Sequence, residues 1–378
     1  MAQSSIKRIL EIVPTSIWGG GEQYVHDIAQ ELILDGNDVS IFCKEGKDGE
    51  DYTYRRMSTL STQKARPDQE IHVEKVSFPH KFSLSAYRKI AQTVRERNIQ
   101  LIHTHIFTDA FIALAARELY HLDTRIIMTR HLARIAKKDP LHRFIFSHLD
   151  RLFFVSRYVA EKFFSKGYSR EALKWQINPN TLSKAKIESG RNNDGLLRSH
   201  YCIPSDHLLG AYTGRLVSEK AVDLIVEAAI ALKDEKISFI LFGKDDDTPY
   251  IQQLKSRLKE TATDNVYFAG FTEKVMSCIG QCDFGILPTR VEEALPLSAL
   301  EFLSLGKPMI VTDRGGHSDL VREGITGYHI PIDDVSALKA AIQKFIDQPE
   351  KMKEMGFAAE KEMQTMDMEH HVQNLLNL

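Results

Sequence analysis

The sequence predicts an α/β protein built from two doubly wound parallel sheets. Three observations predict it. Short apolar runs alternate with helix-periodic stretches along the chain, as βα units require. A polar interval at 183–205, holding the run SGRNNDG, breaks that alternation near the middle. The 378 residues are enough for two domains that each bury a core of their own.

In the first half, the apolar runs at 6–13, 39–43, 73–76, 101–104, 126–129 and 152–155 read as strands. Between the first two, Val25, Ile28, Ala29 and Leu32 share one face of a helix over 22–34, and Gly36 supplies a stop. The second series of strands falls at 208–212, 239–242, 266–268, 284–287, 309–312 and 328–330, each followed by a helical pattern. The expected division is a first domain at 1–180, a second at 181–360 and a C-terminal helix at 361–378. That helix either closes the second domain or crosses back to the first.

Composition narrows the function. With 43% hydrophobic residues and a net charge of −2, the chain is not disordered, and it has no apolar run long enough to span a bilayer. Lys and Arg (49) nearly balance Asp and Glu (51), which gives no support to nucleic-acid binding. Cys43, Cys202, Cys278 and Cys282 form no Cys-x-x-Cys pair and read as free thiols in a reducing cytosol. The first fourteen residues read as a strand rather than a signal peptide, so a cytoplasmic location is expected.

In open α/β sheets, ligands bind where strands end and helices begin. Four such places carry polar groups. At 288–313 a strand ends, a loop holds Glu292 and Glu293, and a helix is expected to begin at Pro296 as its first residue. The amides of Leu297, Ser298 and Ala299 then point out of the helix end, where anions bind. Glu301 shares their face, so Glu293 and Glu301 would flank a phosphate and take hydroxyls of a sugar and a ribose. Taken alone, both glutamates read first as solvated surface charges, because Glu pairs at this spacing are common. At 212–220 (YTGRLVSEK), Gly214 makes the turn, and Arg215 and Lys220 either neutralise a diphosphate or form ion pairs within the domain. At 17–23 (IWGGGEQ), glycines open a helix and let a ligand approach the backbone, although neither a dinucleotide fingerprint nor a P-loop is present. His103, His105 and His131 lie at strand ends. No carboxylate at ligand spacing completes a metal site with them, so they read as polar contacts, with His131 best placed to touch a reacting group.

Together these pieces resemble a family 4 glycosyltransferase of the GT-B fold. The resemblance rests on GGGE at 19–22, HTH at 103–105, Thr129-x-His131, GRLVSEK at 214–220, VYFAGF at 266–271, the Glu293/Glu301 spacing and GKPMIVTDRGG at 306–316. It implies two Rossmann-like domains facing a central cleft and a retaining transfer from a nucleotide-diphosphate sugar to a glycan or lipid-linked acceptor. It implies that Arg215 and Lys220 hold the diphosphate, Glu293 the sugar hydroxyls, the Leu297 and Ser298 amides the phosphate, and Glu301 the ribose. Gly20 and Gly21 would approach the phosphates, His131 would sit near the transferred sugar, and His105 would lie on the acceptor side. No metal or other cofactor is implied.

The sequence departs from the family pattern at Ala294-Leu295-Pro296, where Gly-Phe-Gly is usual, at Ala221, at Thr181 and at Asp319. The competing functions are a nucleotide-sugar-binding protein without catalysis and a nicotinamide-dependent oxidoreductase. The basic run at 125–143 would meet an anionic membrane surface or form a solvated helix face.

Overall fold

The computed structural model describes residues 7–46, 51–165, 167–244 and 248–377. They form two compact units, one comprising residues 1–180 with 368–378, the other residues 181–367.

The first unit is a seven-stranded parallel sheet: β1 (Arg8–Ile12), β2 (Asp38–Lys44), β3 (Ile71–Val76), β4 (Leu101–Thr104), β5 (Arg125–Arg130), β6 (Arg151–Phe154) and β7 (Trp175–Ile177). Its order is β3-β2-β1-β4-β5-β6-β7, so the winding reverses between β1 and β4. Parallel strands covered by helices are buried on both faces, which is why they read as unbroken apolar runs. Ile9, Leu10 and Ile12 of β1 and Phe153 and Phe154 of β6 are fully buried. The strand β7 lies outside the expected set, because three half-buried residues at a sheet edge leave too little pattern to read.

The helix Gly20–Leu34 packs Val25, Ile28, Ala29 and Leu32 into this core, as the periodicity predicts, and starts two residues earlier than expected. Gly20 and Gly21 thus form its first turn. Gly19 caps it in extended conformation with no side-chain hydrogen bond. The terminal helix Met368–Leu376 adds Met368, Val372 and Leu375 to the same apolar cluster. It returns the end of the chain to the unit that holds its beginning.

The second unit is a six-stranded parallel sheet: β8 (Leu208–Thr213), β9 (Ile237–Phe242), β10 (Val266–Gly270), β11 (Phe284–Leu287), β12 (Met309–Thr312) and β13 (Gly327–Ile330). Its order, β10-β9-β8-β11-β12-β13, reverses between β8 and β11. The polar interval expected to break the pattern contains two helices, Lys184–Arg191 and Leu197–His200. The first docks on the helix Val275–Gly280 through glycines: a Cβ on Gly280 would collide with the Gly190 carbonyl. Contact made by backbone rather than by side chains leaves no apolar stripe in the sequence.

Both sheets therefore present a reversal point at the carboxyl ends of two central strands, where loops diverge and leave room for a ligand.

Candidate functional site

In the first unit the reversal point is filled by a carboxylate and histidines. Glu11 lies on β1 with Cα register to His103 on β4, so the two side chains are cross-strand neighbours. His103 Nδ1 donates to Glu11 Oε1 at 3.0 Å, and His105 Nε2 donates to Oε2 at 3.2 Å. His103 Nε2 meets the Thr129 hydroxyl at 2.8 Å, and His105 Nδ1 lies 3.2 Å from Nε2 of the half-buried His131. The Tyr24 ring stands edge-on to His131, centroids 4.6 Å apart, and its hydroxyl bonds His371 Nε2 at 2.9 Å.

Burial drives the Glu11 carboxyl up, but the charge of and hydrogen bonds from His103 and His105 outweigh it and hold it down at about 2. Burial drives the imidazoles the other way: His105 falls to about 4, His371 to about 3, and His131 well below its ordinary value. The set is one buried anion with His105, His131 and His371 nearby, each of which resists protonation. His105, expected on the acceptor side, is 2% exposed, so it reaches other groups through His131. The carboxylate missing from the sequence pattern is Glu11, supplied from 92 residues before His103. Glu11, His103 and His105 have ligand atoms within 4.8 Å of one another, a spacing that fits a cation. Here the atoms that face each other carry the imidazole–carboxylate hydrogen bonds.

Next to this cluster, a cavity of about 330 Å³ opens at the ends of β1, β2 and β3, lined by Pro14, Ser16, Lys44, Ser77 and Phe78 among others. Lys44 is anchored there by Asp109 at 2.7 Å and the Pro14 carbonyl at 2.7 Å. Gly20 and Gly21 start their helix beside it. Glu22, on the same turn, accepts hydrogen bonds from the Thr15 amide at 3.1 Å and hydroxyl at 2.7 Å.

In the second unit the reversal point brings Lys220 and Glu293 together, whereas Arg215 and Glu301 take other partners. After β8 the chain turns at Gly214, where φ is +152°, passes Arg215, and forms a short turn at Ser218–Lys220. Ala221 then takes a left-handed conformation, φ +53°, to start the helix Val222–Ala231. Glycine is usual in that conformation; alanine there costs about 1 kcal/mol. Lys220 forms an ion pair with Glu293, and both side chains are largely buried. Arg215 is open to solvent, its side chain 71% exposed, with Glu219 3.9 Å away. Glu301 pairs with Lys186 at 3.0 Å, a partner that sequence spacing did not suggest.

The helix after β11 spans Leu297–Ser304, with Pro296 as its cap rather than its first residue. The Ala299 amide, expected to be free, donates to the Pro296 carbonyl at 3.1 Å. Among the described residues, the Leu297 and Ser298 amides thus have no such bond in the first turn, and the cap residue makes no side-chain hydrogen bond. The Glu293 backbone is clamped by the loop after β12: the Gly316 amide donates to its carbonyl at 2.8 Å. Gly315 sits at φ +71°, and a Cβ there would lie 2.7 Å from the Glu293 nitrogen. His317, fully buried, donates from Nδ1 to the Thr312 carbonyl at 2.7 Å.

Residues 18–175 match the family described as Glycosyltransferase Family 4, and residues 198–362 match Glycosyl transferases group 1. The chain belongs to the family 4 glycosyltransferases of the GT-B fold. Over 306 residues it is 24% identical to EpsD of Bacillus subtilis, a protein named as a glycosyltransferase, covering 75% of this chain and 78% of that one. Over 149 residues it is 29% identical to the lipopolysaccharide 1,2-N-acetylglucosaminetransferase of Salmonella typhimurium, covering 37% and 39%. Among solved structures, Anabaena HepE in complex with UDP and glucose superposes with a TM-score of 0.78 at 17% identity, over 98% of both chains.

Within this glycosyltransferase the basic run at 125–143 is not one helix face. Arg125 and Arg130 lie at opposite ends of β5, and Arg130 is buried over the Phe163 ring at 5.3 Å. Burial lowers its guanidinium to about 10. The remaining cations, Arg134, Lys137, Lys138 and Arg143, are exposed, and Leu132, Ile135 and Phe144 are exposed among them.

The buried imidazoles make acid stability a test of the first-unit cluster. His105, His131 and His371 are each depressed in the folded state, so their contribution is complete above about 6.5 and is lost as the pH falls; for His105 the loss runs down to about 4. Glu11 contributes fully above about 4.5 and loses its share toward about 2. Asp109, raised to about 6 by burial that Lys44 only partly offsets, opposes this, one group against three histidines. Urea midpoints should therefore fall from pH 7 to pH 5, with a slope on the order of 1 kcal/mol per pH unit for each excess proton. A midpoint that stays level or rises over that interval would contradict the assignment.

Proposed function

We propose that the protein is a retaining glycosyltransferase of hexosyl type. It transfers a sugar from a nucleotide-diphosphate sugar to a glycan or lipid-linked acceptor, in cell-surface polysaccharide or glycolipid synthesis. The observation that carries the reading is the Lys220–Glu293 ion pair at the reversal point of the second sheet, beside the open amides of Leu297 and Ser298. A cation and a carboxylate held together where a phosphate can dock suit a ligand with a diphosphate at one end and hydroxyls at the other. The UDP and glucose bound by HepE are of that class.

In the proposed reaction, the bond between the anomeric carbon and the phosphate oxygen breaks, and its electron pair leaves with the diphosphate. Lys220 and Arg215 neutralise that charge, with the Leu297 and Ser298 amides on the phosphate. Glu293 accepts hydrogen bonds from sugar hydroxyls and Glu301 from the ribose. The acceptor hydroxyl attacks from the face the diphosphate leaves, and its proton passes to the departing phosphate oxygen, so configuration is retained. Cationic side chains do the neutralising, and the reaction takes no metal. The Gly20 and Gly21 amides are assigned to phosphate oxygens, and His131 to the sugar being transferred. The first-unit cavity, with Ser16 and Ser77 hydroxyls and the Phe78 ring among its lining, is assigned to a sugar of the acceptor.

Removing one preorganised group that stabilises leaving-group charge lowers rates by about 10²–10³-fold. Lys220→Ala should lower transfer from the preferred member of a nucleotide-sugar panel by roughly that factor, and EDTA should leave the wild-type rate unchanged. Undiminished turnover in Lys220→Ala would remove the assignment, and donor binding without transfer or donor hydrolysis would favour a binding protein instead.

We also propose a peripheral location at the inner face of the membrane. Among the described residues no helix is long and apolar enough to cross a bilayer. Exposed Leu132, Ile135 and Phe144 set among Arg134, Lys137, Lys138 and Arg143 suit an anionic surface, each cation giving about 1 kcal/mol. The protein should float with anionic liposomes at low salt and be released at high salt. Failure to float at low salt would refute the location.

A further inference from the structure

Glu11 and His105 bear on His131 through a chain of hydrogen bonds whose proton positions can be worked out one by one. A neutral imidazole carries one N–H and one lone pair, and a carboxylate only accepts. Glu11 Oε1 takes the Nδ1–H of His103, whose Nε2 lies 2.8 Å from the Thr129 hydroxyl. Glu11 Oε2 takes the Nε2–H of His105 at 3.2 Å, so His105 Nδ1 must accept. The group facing that nitrogen is His131 Nε2 at 3.2 Å, which must therefore carry the proton. Burial keeps His105 and His131 neutral, so no second ring proton upsets this order. The Tyr24 ring, inclined at 64° to His131, holds the plane of that imidazole.

We infer that Glu11, acting through His105, fixes His131 as the tautomer with its proton on Nε2, leaving Nδ1 as a hydrogen-bond acceptor for a hydroxyl of the sugar ligand. Nδ1 has no protein partner among the described residues. An imidazole lone pair accepts from a hydroxyl and repels phosphate or carbonyl oxygens, so the arrangement makes His131 selective for hydroxyl groups. Glu11 and His105 are positioning residues: neither touches the ligand. The hydroxyl selectivity rests on the glycosyltransferase reading; the tautomer does not.

The tautomer can be read on the wild-type protein without substrate. Nitrogen-15 spectra of histidine-labelled protein, with His131 assigned by the signals lost in His131→Gln, should show Nε2 protonated and Nδ1 bare. Nδ1 protonated, or both nitrogens averaged, would overturn the inference. Kinetics supply an independent check. Asparagine at position 105 places an amide oxygen near the site of Nδ1, whereas leucine does not, and both remove the imidazole that serves Glu11. His105→Asn should therefore turn over roughly tenfold faster than His105→Leu, the worth of one hydrogen bond. Equal rates in the two variants would show that His105 merely fills space. Absence of transfer in the wild type would overturn the functional reading alone, and the spectra would still decide the tautomer.

Discussion

Charge buried where parallel strands end has to be neutralised on the spot, and that constraint shapes both halves of this protein. An isolated carboxylate taken from water into a protein interior is costly unless it is paired and hydrogen-bonded. Glu11 meets the requirement with two imidazoles, Glu293 with Lys220, Glu301 with Lys186 and Asp109 with Lys44. Glu11 sits near the end of β1, Lys44 ends β2, and Lys220 and Glu293 lie on the loops after β8 and β11, whereas Asp109, Glu301 and Lys186 reach their partners from helices. The groups retained there at a cost to stability are those that a polar, charged ligand would need.

The two units meet the constraint with different chemistry. In the first, the anion is held by hydrogen bonds from two imidazoles, so the cluster is directional, and the half-buried His131 takes its order from His105. In the second, the partner is a lysine, a compact and mobile cation. In the proposed reaction Lys220 exchanges one anion for another, leaving the Glu293 carboxylate for a phosphate while the carboxylate turns to sugar hydroxyls. The clamp on the Glu293 backbone from Gly315 and Gly316 keeps the loop in place during such an exchange. Glycine at those positions reflects close approach to Glu293 and Ala294, since any side chain would strike backbone.

What could be read from the sequence follows from how each feature is encoded. Strands buried on both faces announce themselves as apolar runs, and the helix Gly20–Leu34 as a 3.6-residue stripe, so the architecture was legible. The strand β7 and the helix Lys184–Arg191 were not, because a three-residue edge strand and a helix whose one fully buried residue is Gly190 carry little apolar pattern. Arg215, Lys220, Glu293 and Glu301 stood out as charges, yet the Lys220–Glu293 and Lys186–Glu301 pairings did not, because ion pairing between distant segments has no local signature. Glu11 was the readable clue that went unused: a lone acid inside the run RILEIV cannot be solvated in a central strand and must find donors. The departure at Pro296 mattered little, since the proline caps the helix from outside and the amides after it remain open.

The exchange of Lys220 between two anions is the central claim, and nucleotide binding tests it most directly. Calorimetric titration of a nucleoside diphosphate into wild type and Glu293→Gln, chosen from a panel for measurable affinity, separates attraction from competition. If Glu293 holds Lys220 at rest, neutralising it releases the cation, and the diphosphate should bind more tightly to the variant even though sugar transfer falls. Equal or weaker diphosphate binding by Glu293→Gln would contradict the account.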